Sequence, residues 1–138
     1  MCFWSRPPLT RLAVAEELVR EQQSAMAGGL CRYWTAWEGS DAIGSLDLSL
    51  IENGAAELGF LLRRDRWGRG LASEAAAAVV ACGFGPMGLK RLAAAVQAEN
   101  RAAARVLEKT GFTLAQTHAA VPMPGGSRRD CAFYVRDR

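Results

Sequence analysis

The amino-acid sequence predicts a mixed α/β fold, and three observations lead to it. Period-two hydrophobic runs typical of strands alternate with helix-period runs along the 138 residues. One strand-type run leads through a segment rich in glycine and arginine, residues 63–70, into an alanine-rich helical run. Half of the residues are apolar, and a chain of this length suits one hydrophobic core. We therefore expect residues 1–138 to form a single domain with a mostly antiparallel central sheet flanked by helices.

The first predicted element is a helix that begins after Thr10, a residue type that caps helix N-termini. Apolar residues then recur at helical spacing as far as Gln22. Gly28 and Gly29 predict the end of this helix, because glycine readily takes the left-handed conformation found just past helices.

A meander of three antiparallel strands is predicted next. From Leu30 the period changes to two, and these residues share a face: Cys31, Tyr33, Thr35 and Trp37. After a turn at residues 39–41, a second run places Leu46, Leu48 and Leu50 on one face and Ser45, Asp47 and Ser49 on the other. Asn53-Gly54 is a strong two-residue hairpin signal before a third strand over residues 55–62.

The second half of the chain predicts two helices and three strands. Residues 71–84 are rich in alanine and lack proline, which favours a helix, and residues 91–97 alternate as a strand. Asn100 is expected to cap a helix that runs through Thr110, with Gly111 as its left-handed C′ residue and Phe112 packing back on the last turn. A closing hairpin is predicted over residues 113–121 and 128–135.

Charge and cysteine usage exclude several classes of protein. The net charge of +3 falls short of the dense basic patches of a nucleic-acid binder. No apolar stretch is long enough to span a bilayer, and the opening residues lack the pattern of a signal peptide. The cysteines form no C-x-x-C pair, which predicts free thiols, no metal site and a reduced, cytoplasmic protein: Cys2, Cys31, Cys82 and Cys131.

The glycine loop is the strongest functional signal. Gly68 and Gly70 stand between a strand and a helix start, where unpaired main-chain N–H groups can bind phosphate. Four arginines within seven residues add positive charge beside it: Arg63, Arg64, Arg66 and Arg69. Neither Gly-Lys-Ser/Thr nor a third glycine is present, which argues against a P-loop and against the dinucleotide fingerprint. By itself the loop fits a phosphate site and an ordinary glycine turn equally well.

Two segments together resemble the signature motifs of the GNAT superfamily of N-acetyltransferases, in particular its RimJ/RimL branch. The first is Trp67-Gly68-Arg69-Gly70-Leu71-Ala72-Ser73-Glu74-Ala75. The second is Asn100-Arg101-Ala102-Ala103-Ala104-Arg105-Val106-Leu107-Glu108-Lys109-Thr110-Gly111-Phe112. The resemblance extends over roughly residues 42–135 and includes Ala56-Glu57-Leu58-Gly59-Phe60 on the preceding strand.

This resemblance implies acetyl-CoA as the cosubstrate and an amine as the acceptor. The strands ending at Leu62 and spanning 91–97 are expected to splay apart, so that the pantetheine arm lies between them. The implied pantetheine contacts are Phe60, Leu61, Leu62 and Asn100. The implied pyrophosphate contacts are Arg66, Trp67, Gly68, Arg69, Gly70, Leu71, Ala72 and Ser73. Arg63 or Arg105 is expected to reach the adenosine phosphates.

The chemistry implied by the resemblance is direct attack of a neutral amine on the thioester, with a main-chain N–H near Leu61 or Leu62 stabilising the oxyanion. Glu57 is the candidate base, although a structural ion pair with a nearby arginine is equally compatible with the sequence. The positions that often supply an acid to the leaving thiolate hold Ala103 and Leu107 instead. Tyr134 is the candidate replacement, with His118 or solvent as alternatives.

Two further expectations follow from departures from the family pattern. Asp65 places a negative charge beside the phosphate loop and is expected to turn away or pair with an arginine. The strand and helix that precede Phe3-Trp4-Ser5 in RimJ/RimL-like chains are absent, which indicates a truncated domain, a misassigned start or a sheet completed by a second copy. The alternative function is a non-catalytic domain that binds acyl-CoA in a sensing or assembly role. Trp4, Tyr33, Trp34 and Trp37 are expected mostly in the core, with the acceptor cleft as their alternative place.

Overall fold

The computed structural model describes residues 20–21, 23–24, 26–123 and 125–138. Its first elements are helical residues up to 27, followed by the turn at Gly28 and Gly29, where the predicted helix was expected to end. The predicted cap at Thr10 and the side chain of Trp4 lie outside the described residues.

Six strands and two longer helices follow in the described part of the chain. They are β1 (Arg32–Glu38), β2 (Asp41–Glu52), β3 (Ala55–Leu62), α1 (Leu71–Phe84), β4 (Arg91–Gln97), α2 (Arg101–Lys109), β5 (Thr113–Pro122) and β6 (Arg128–Asp137). A single turn of 3-10 helix at Arg64–Arg66 joins β3 to the glycine loop. The order and the types of these elements confirm the predicted α/β fold, and no helix of the described residues is long and apolar enough to cross a membrane.

The strands form one mixed sheet in the order β1-β2-β3-β4-β6-β5. All neighbouring strands are antiparallel except β3 and β4, which run parallel because α1 carries the chain back across the sheet. β3 pairs with β4 only where Ala55–Glu57 meets Arg91–Ala93. Beyond these pairs, Leu58–Leu62 is bonded to β2 and Ala94–Gln97 to β6, so the two strands diverge and leave a gap. The splayed sheet implied by the family resemblance is therefore present.

The main core lies between one face of the sheet and the two helices. α1 packs on β2, β3, β4 and α2. Its close approach depends on Gly83, where an added Cβ would lie 3.2 Å from Leu48 Cδ1 and 3.6 Å from Leu92 Cδ1. The alanine content of α1 thus reflects the small space left between helix and sheet. The largest fully buried side chains are Leu48, Leu92, Leu107 and Cys131.

The ends of α2 follow the predicted pattern. The Asn100 side-chain oxygen accepts a hydrogen bond from the Ala103 N–H at 3.1 Å, which satisfies a donor of the first turn. Gly111 has φ 89°, and the N–H of the buried Phe112 donates to the Leu107 carbonyl at 2.9 Å. Asn100 and Gly111 therefore fix both ends of the helix.

Two sheet residues depart from the predicted alternation. Leu50 was expected beside Leu46 and Leu48, but its φ of 51° and the register shift between Ser49 and Glu52 turn it outward, and it is 63% exposed. Trp37 follows a shift between Ala36 and Trp37 and is 62% exposed, whereas Trp34 packs against the core. A bulge inverts the side-chain alternation after it, and period-two reasoning does not detect bulges.

The cysteine expectation is wrong at one position. Cys31 and Cys82 are free thiols as predicted, but Cys131, fully buried in β6, is disulfide-bonded. Wide spacing along the chain carries no information about which cysteines approach each other in the fold.

Candidate cofactor and acceptor site

The glycine loop leads directly into the N-terminus of α1, beside the gap between β3 and β4. Gly68 and Gly70 both have φ 75°, a conformation that side chains other than glycine rarely adopt. A Cβ added at either position would meet no atom of the described residues within 4 Å, so these residues leave the space beside the loop open. Gly70 caps α1 without a side-chain hydrogen bond, and the first amides of a helix have no partner within it. This geometry suits an anionic group of a ligand.

Trp67 fastens the loop to the end of β3. Its indole Nε1 donates to the Leu62 carbonyl oxygen at 2.9 Å, while the ring remains more than half exposed. The Arg64 guanidinium lies 5.5 Å from the centre of the ring, within the range of a cation–π contact. The loop therefore has a defined position relative to the gap.

The main chain of β3 presents hydrogen-bonding groups to the gap. The Arg63 N–H donates to the Ile43 carbonyl of β2 at 2.7 Å, and alternate residues of a strand direct these groups to opposite sides. Leu61 therefore bonds toward β2, whereas Phe60 and Leu62 face the gap. Of the three β3 residues implied for pantetheine, Phe60 and Leu62 have the required orientation, and the Leu62 carbonyl already accepts from Trp67.

Asp65 pairs with arginines, which was one of its two expected arrangements. Its carboxylate accepts from Arg63 at 2.7 Å and from Arg66 at 3.2 Å. The negative charge of Asp65 beside the glycine loop is thus paired with two of the loop's arginines.

The β1–β2 hairpin contributes two further carboxylates that the sequence did not associate with the loop. Glu38 lies 3.2 Å from Arg66 and 3.0 Å from Arg69, and Asp41 lies 3.2 Å from Arg66. Much of the positive charge expected beside the glycines is therefore balanced within the protein. These partners are 25 to 31 residues away in the chain, and no local motif identifies them.

Asp41→Asn is expected to strengthen acetyl-CoA binding about threefold at low salt, because it removes one exposed negative charge beside Arg66. The gain should shrink at 0.5 M salt. Titration calorimetry at two salt concentrations measures both effects. Asp137→Asn is the control, since Asp137 pairs with Arg91 at the opposite end of β4. Weaker binding by Asp41→Asn would mean that this carboxylate positions Arg66 rather than neutralising it.

Asn100 and Arg105 lie on α2. The Asn100 side-chain oxygen is used in the helix cap, so only its amide N–H groups remain to donate to a ligand. Arg105 is exposed in the middle of the helix. The Ala103 N–H donates to the Asn100 side-chain oxygen, and Leu107 is fully buried in the core. Both side chains are apolar, so neither residue offers a proton donor.

The two candidate catalytic residues lie on opposite faces of the sheet. Tyr134 pairs with Ala94 and is 6% exposed in the core beneath the helices. Glu57 alternates with the core residues Ala56 and Leu58 and therefore projects from the other face. His118, the alternative acid, is exposed on β5 with its ring 5.2 Å from that of Phe133.

Tyr134→Phe is expected to leave kcat within about twofold, because the ring packs among core residues and the phenylalanine keeps that contact. Steady-state kinetics of a folded Tyr134→Phe variant tests this expectation. A loss of tenfold or more in kcat would indicate that the Tyr134 hydroxyl acts as a proton donor.

A second carboxylate accompanies Glu57 on its face of the sheet. Asp47 pairs with Gly59 and Glu57 with Ser49, so the two acids are diagonal neighbours on adjacent strands. Burial raises the pKa of Asp47 to about 6; the Ser49 hydroxyl opposes this rise, and the charge of Glu57 adds to it. Burial also raises the pKa of Glu57 above its ordinary value.

Asp47 was expected on a polar face of β2 and had no predicted role, yet it is only 5% exposed. Its signal in the sequence is weak but present: aspartate is depleted in strand interiors, and this one stands between Leu46 and Leu48.

A splayed sheet, main-chain groups facing the gap and a glycine-rich helix start suit a long phosphate-bearing ligand that lies between two strands. The family model described as Acetyltransferase (GNAT) domain matches residues 2–113, and the chain belongs to this family. The resemblance drawn from the motifs is thereby confirmed.

Relatives and solved structures agree with this assignment. The chain is 29% identical over 123 residues to the uncharacterized N-acetyltransferase p20 of Bacillus licheniformis, covering 80% of this chain and 69% of that protein. It is 42% identical over 57 residues to the uncharacterized N-acetyltransferase YoaA of Bacillus subtilis strain 168, covering 41% of this chain and 32% of that protein.

Two structures show the same fold at low identity. One is a RimL alpha-N-protein acetyltransferase in complex with coenzyme A, with a TM-score of 0.87 and 21% identity over 93% of this chain and 73% of that chain. The other is the spermidine N-acetyltransferase of Vibrio cholerae in complex with CoA and spermine, with a TM-score of 0.84 and 18% identity over 98% of this chain and 80% of that chain.

Proposed function

We propose that the chain transfers an acetyl group from acetyl-CoA to a primary amine, either a protein N-terminal α-amine or a small-molecule amine. The observation that carries this proposal is the gap between β3 and β4, with the glycine loop at one end and Glu57 where the strands begin to part. Family membership and the CoA-bound structures of similar fold support the choice of cosubstrate.

The residues beside the gap fit coenzyme A. Phe60 and Leu62 direct main-chain groups into the gap, which suits the amides of the pantetheine arm. Gly68 and Gly70 leave open space at the α1 N-terminus for the pyrophosphate. Asn100 and Arg105 on α2, together with Arg66 and Arg69, are the proposed side-chain contacts.

Glu57 is the proposed base. Acetyl-CoA supplies the acyl group as a thioester, and the acceptor enters mainly as an ammonium ion at neutral pH. The Glu57 carboxylate takes one proton from the ammonium nitrogen, whose lone pair then forms the C–N bond to the thioester carbonyl carbon. The C–S bond breaks, the sulfur leaves as a thiolate, and the second nitrogen proton passes through solvent to that sulfur. Glu57 releases its proton to solvent.

The test is release of free thiol from acetyl-CoA against a panel of amines: spermidine, an aminoglycoside and short peptides with free N-termini. Turnover with at least one amine, and none with the same peptide acetylated at its N-terminus, is the expected result. Binding of acetyl-CoA without thiol release for any amine would overturn the catalytic proposal.

That second outcome is what a non-catalytic acyl-CoA-binding domain predicts. The observation that favours this alternative is α2, where Ala103 and the buried Leu107 stand at positions that offer no proton donor. In this non-catalytic alternative, the cofactor site is retained, and the protein senses acyl-CoA or joins an assembly.

We further propose that residues 1–138 act as one domain in the cytoplasm and pair as a homodimer. β1 stands at one edge of the described sheet, and edge strands favour the addition of a second copy. Light scattering of the purified chain measures the oligomeric state, and a monomer at all concentrations would reject the dimer.

A further inference from the structure

Asp47 is a buried acid with an unsatisfied acceptor. Only 5% of the residue is exposed, and its Oδ1 atom makes no hydrogen bond with any residue that the structure describes. Burial of a carboxylate without a full set of partners is unfavourable. An arrangement of this kind gains most from a ligand that brings both a positive charge and N–H donors.

The position of Asp47 relates it directly to the gap. Its cross-strand partner on β3 is Gly59, which carries no side chain. β3 has no further pairing with β4 at Gly59, so the gap has already opened there. No β3 side chain therefore stands between the Asp47 carboxylate and the gap at this level of the sheet.

Glu57 borders the same place on the same face. Diagonal neighbours on antiparallel strands lie about 7 Å apart, a separation that a single ammonium group can bridge between two flexible carboxylates. One face of the sheet thus holds a buried acid, Asp47, and a half-buried acid, Glu57, beside the strand opening.

We propose that Asp47 is a specificity-determining residue that binds the ammonium form of the acceptor across Gly59, beside Glu57, and so selects cationic amines. This inference rests on the proposed acetyl transfer. Asp47 accepts one ammonium N–H at Oδ1 and keeps its own negative charge, while Glu57 takes the proton that must leave before the nitrogen attacks. Because Asp47 binds the ammonium group and Glu57 removes its proton, the substrate can bind as the cation and react as the neutral amine. The pKa of Asp47, about 6, leaves it ionised at neutral pH.

The experiment compares an alkylamine with the O-alkylhydroxylamine of the same length, which is uncharged at neutral pH. In the wild-type protein, kcat/KM should favour the alkylamine. Asp47→Asn keeps the shape but removes the charge, and it should raise the KM of the alkylamine at least tenfold while the KM of the hydroxylamine changes less than twofold. The KM of acetyl-CoA should not change.

Asp137→Asn is the matched control, since it makes the same substitution at an exposed ion pair far from the gap. Asp47→Ser replaces the Asn variant if that variant does not fold. An equal effect on the two acceptors, or none on either, in a folded variant would overturn the role of Asp47.

Failure of the proposed function gives a different result. If the wild-type protein transfers acetyl groups to no acceptor, binding of butylammonium to the CoA-loaded protein, measured by calorimetry, decides the inference separately. Binding to the wild type that weakens tenfold in Asp47→Asn supports it. Equal or absent binding in both proteins rejects it.

Discussion

Gly70→Glu is expected to raise the dissociation constant of acetyl-CoA about 100-fold or more. Gly70 has φ 75° immediately before α1, where a glutamate would strain the backbone and place a negative charge beside the proposed pyrophosphate position. A 100-fold change corresponds to about 2.7 kcal/mol, within reach of strain and charge repulsion together. Titration calorimetry with acetyl-CoA is the measurement.

Gly125→Glu is the matched control for this substitution. Gly125 also has a positive φ, of 92°, and an added Cβ there meets no atom of the described residues within 4 Å, but it lies in the loop between β5 and β6. Gly125→Glu therefore introduces the same backbone strain and the same negative charge, but away from the proposed pyrophosphate position. Equal acetyl-CoA affinity for Gly70→Glu and the wild type would contradict the assignment of the glycine loop to the cofactor.

Glu57→Gln is expected to lower kcat by about 100-fold or more, with little change in the KM of acetyl-CoA, because general-base catalysis typically contributes this much. A base acts when deprotonated, so wild-type activity should rise as pH increases through the pKa of Glu57, which burial places above its ordinary value. The glutamine variant should lack this limb of the pH profile.

Glu52→Gln serves as the comparison, since Glu52 is an exposed acid at the end of β2 and its neutralisation should change kcat less than twofold. A Glu57→Gln variant that keeps both its activity and the acidic limb of the profile would leave Glu57 as a structural carboxylate.

Local patterns predicted most of the fold. The bounds of β3, α1 and β4 agree with the predicted ranges residue for residue, because each ends at a strong signal such as the Asn53-Gly54 turn or the glycine loop. Asn100 and Gly111 fixed the ends of α2 for the same reason: caps depend on residues within one turn.

The features that could not be predicted from the sequence depend on contacts between distant segments or on local irregularities of the backbone. Glu38 and Asp41 meet the loop arginines because the turn of the β1–β2 hairpin lies beside the end of β3, where Gly44 pairs with Leu62. The exposure of Leu50 follows from a bulge that an alternating pattern conceals. Asp47 occupies a polar position of its strand, and the burial of that face cannot be read from alternation alone.

The backbone conformation of the glycine loop was easier to predict than the surroundings of the candidate catalytic residues. Gly68 and Gly70 are required by backbone conformation, which leaves a strong mark on the sequence. Tyr134, by contrast, shares its residue type with many packing positions, and only the face of the strand distinguishes a core tyrosine from a proton donor.

The limited contact between β3 and β4 also bears on how the chain folds. β1, β2 and β3 follow one another and pair as neighbours, and β4, β5 and β6 form a second group that is nearly as local. In the described part of the chain, three residue pairs between β3 and β4 and the packing of α1 across β2, β3 and β4 join the two groups. Each half of the sheet can therefore assemble from contacts close in sequence, and the entropic cost of long-range closure falls on one short parallel junction. The same opening that receives a ligand in the proposed function spares the folding chain most of its slow parallel pairing.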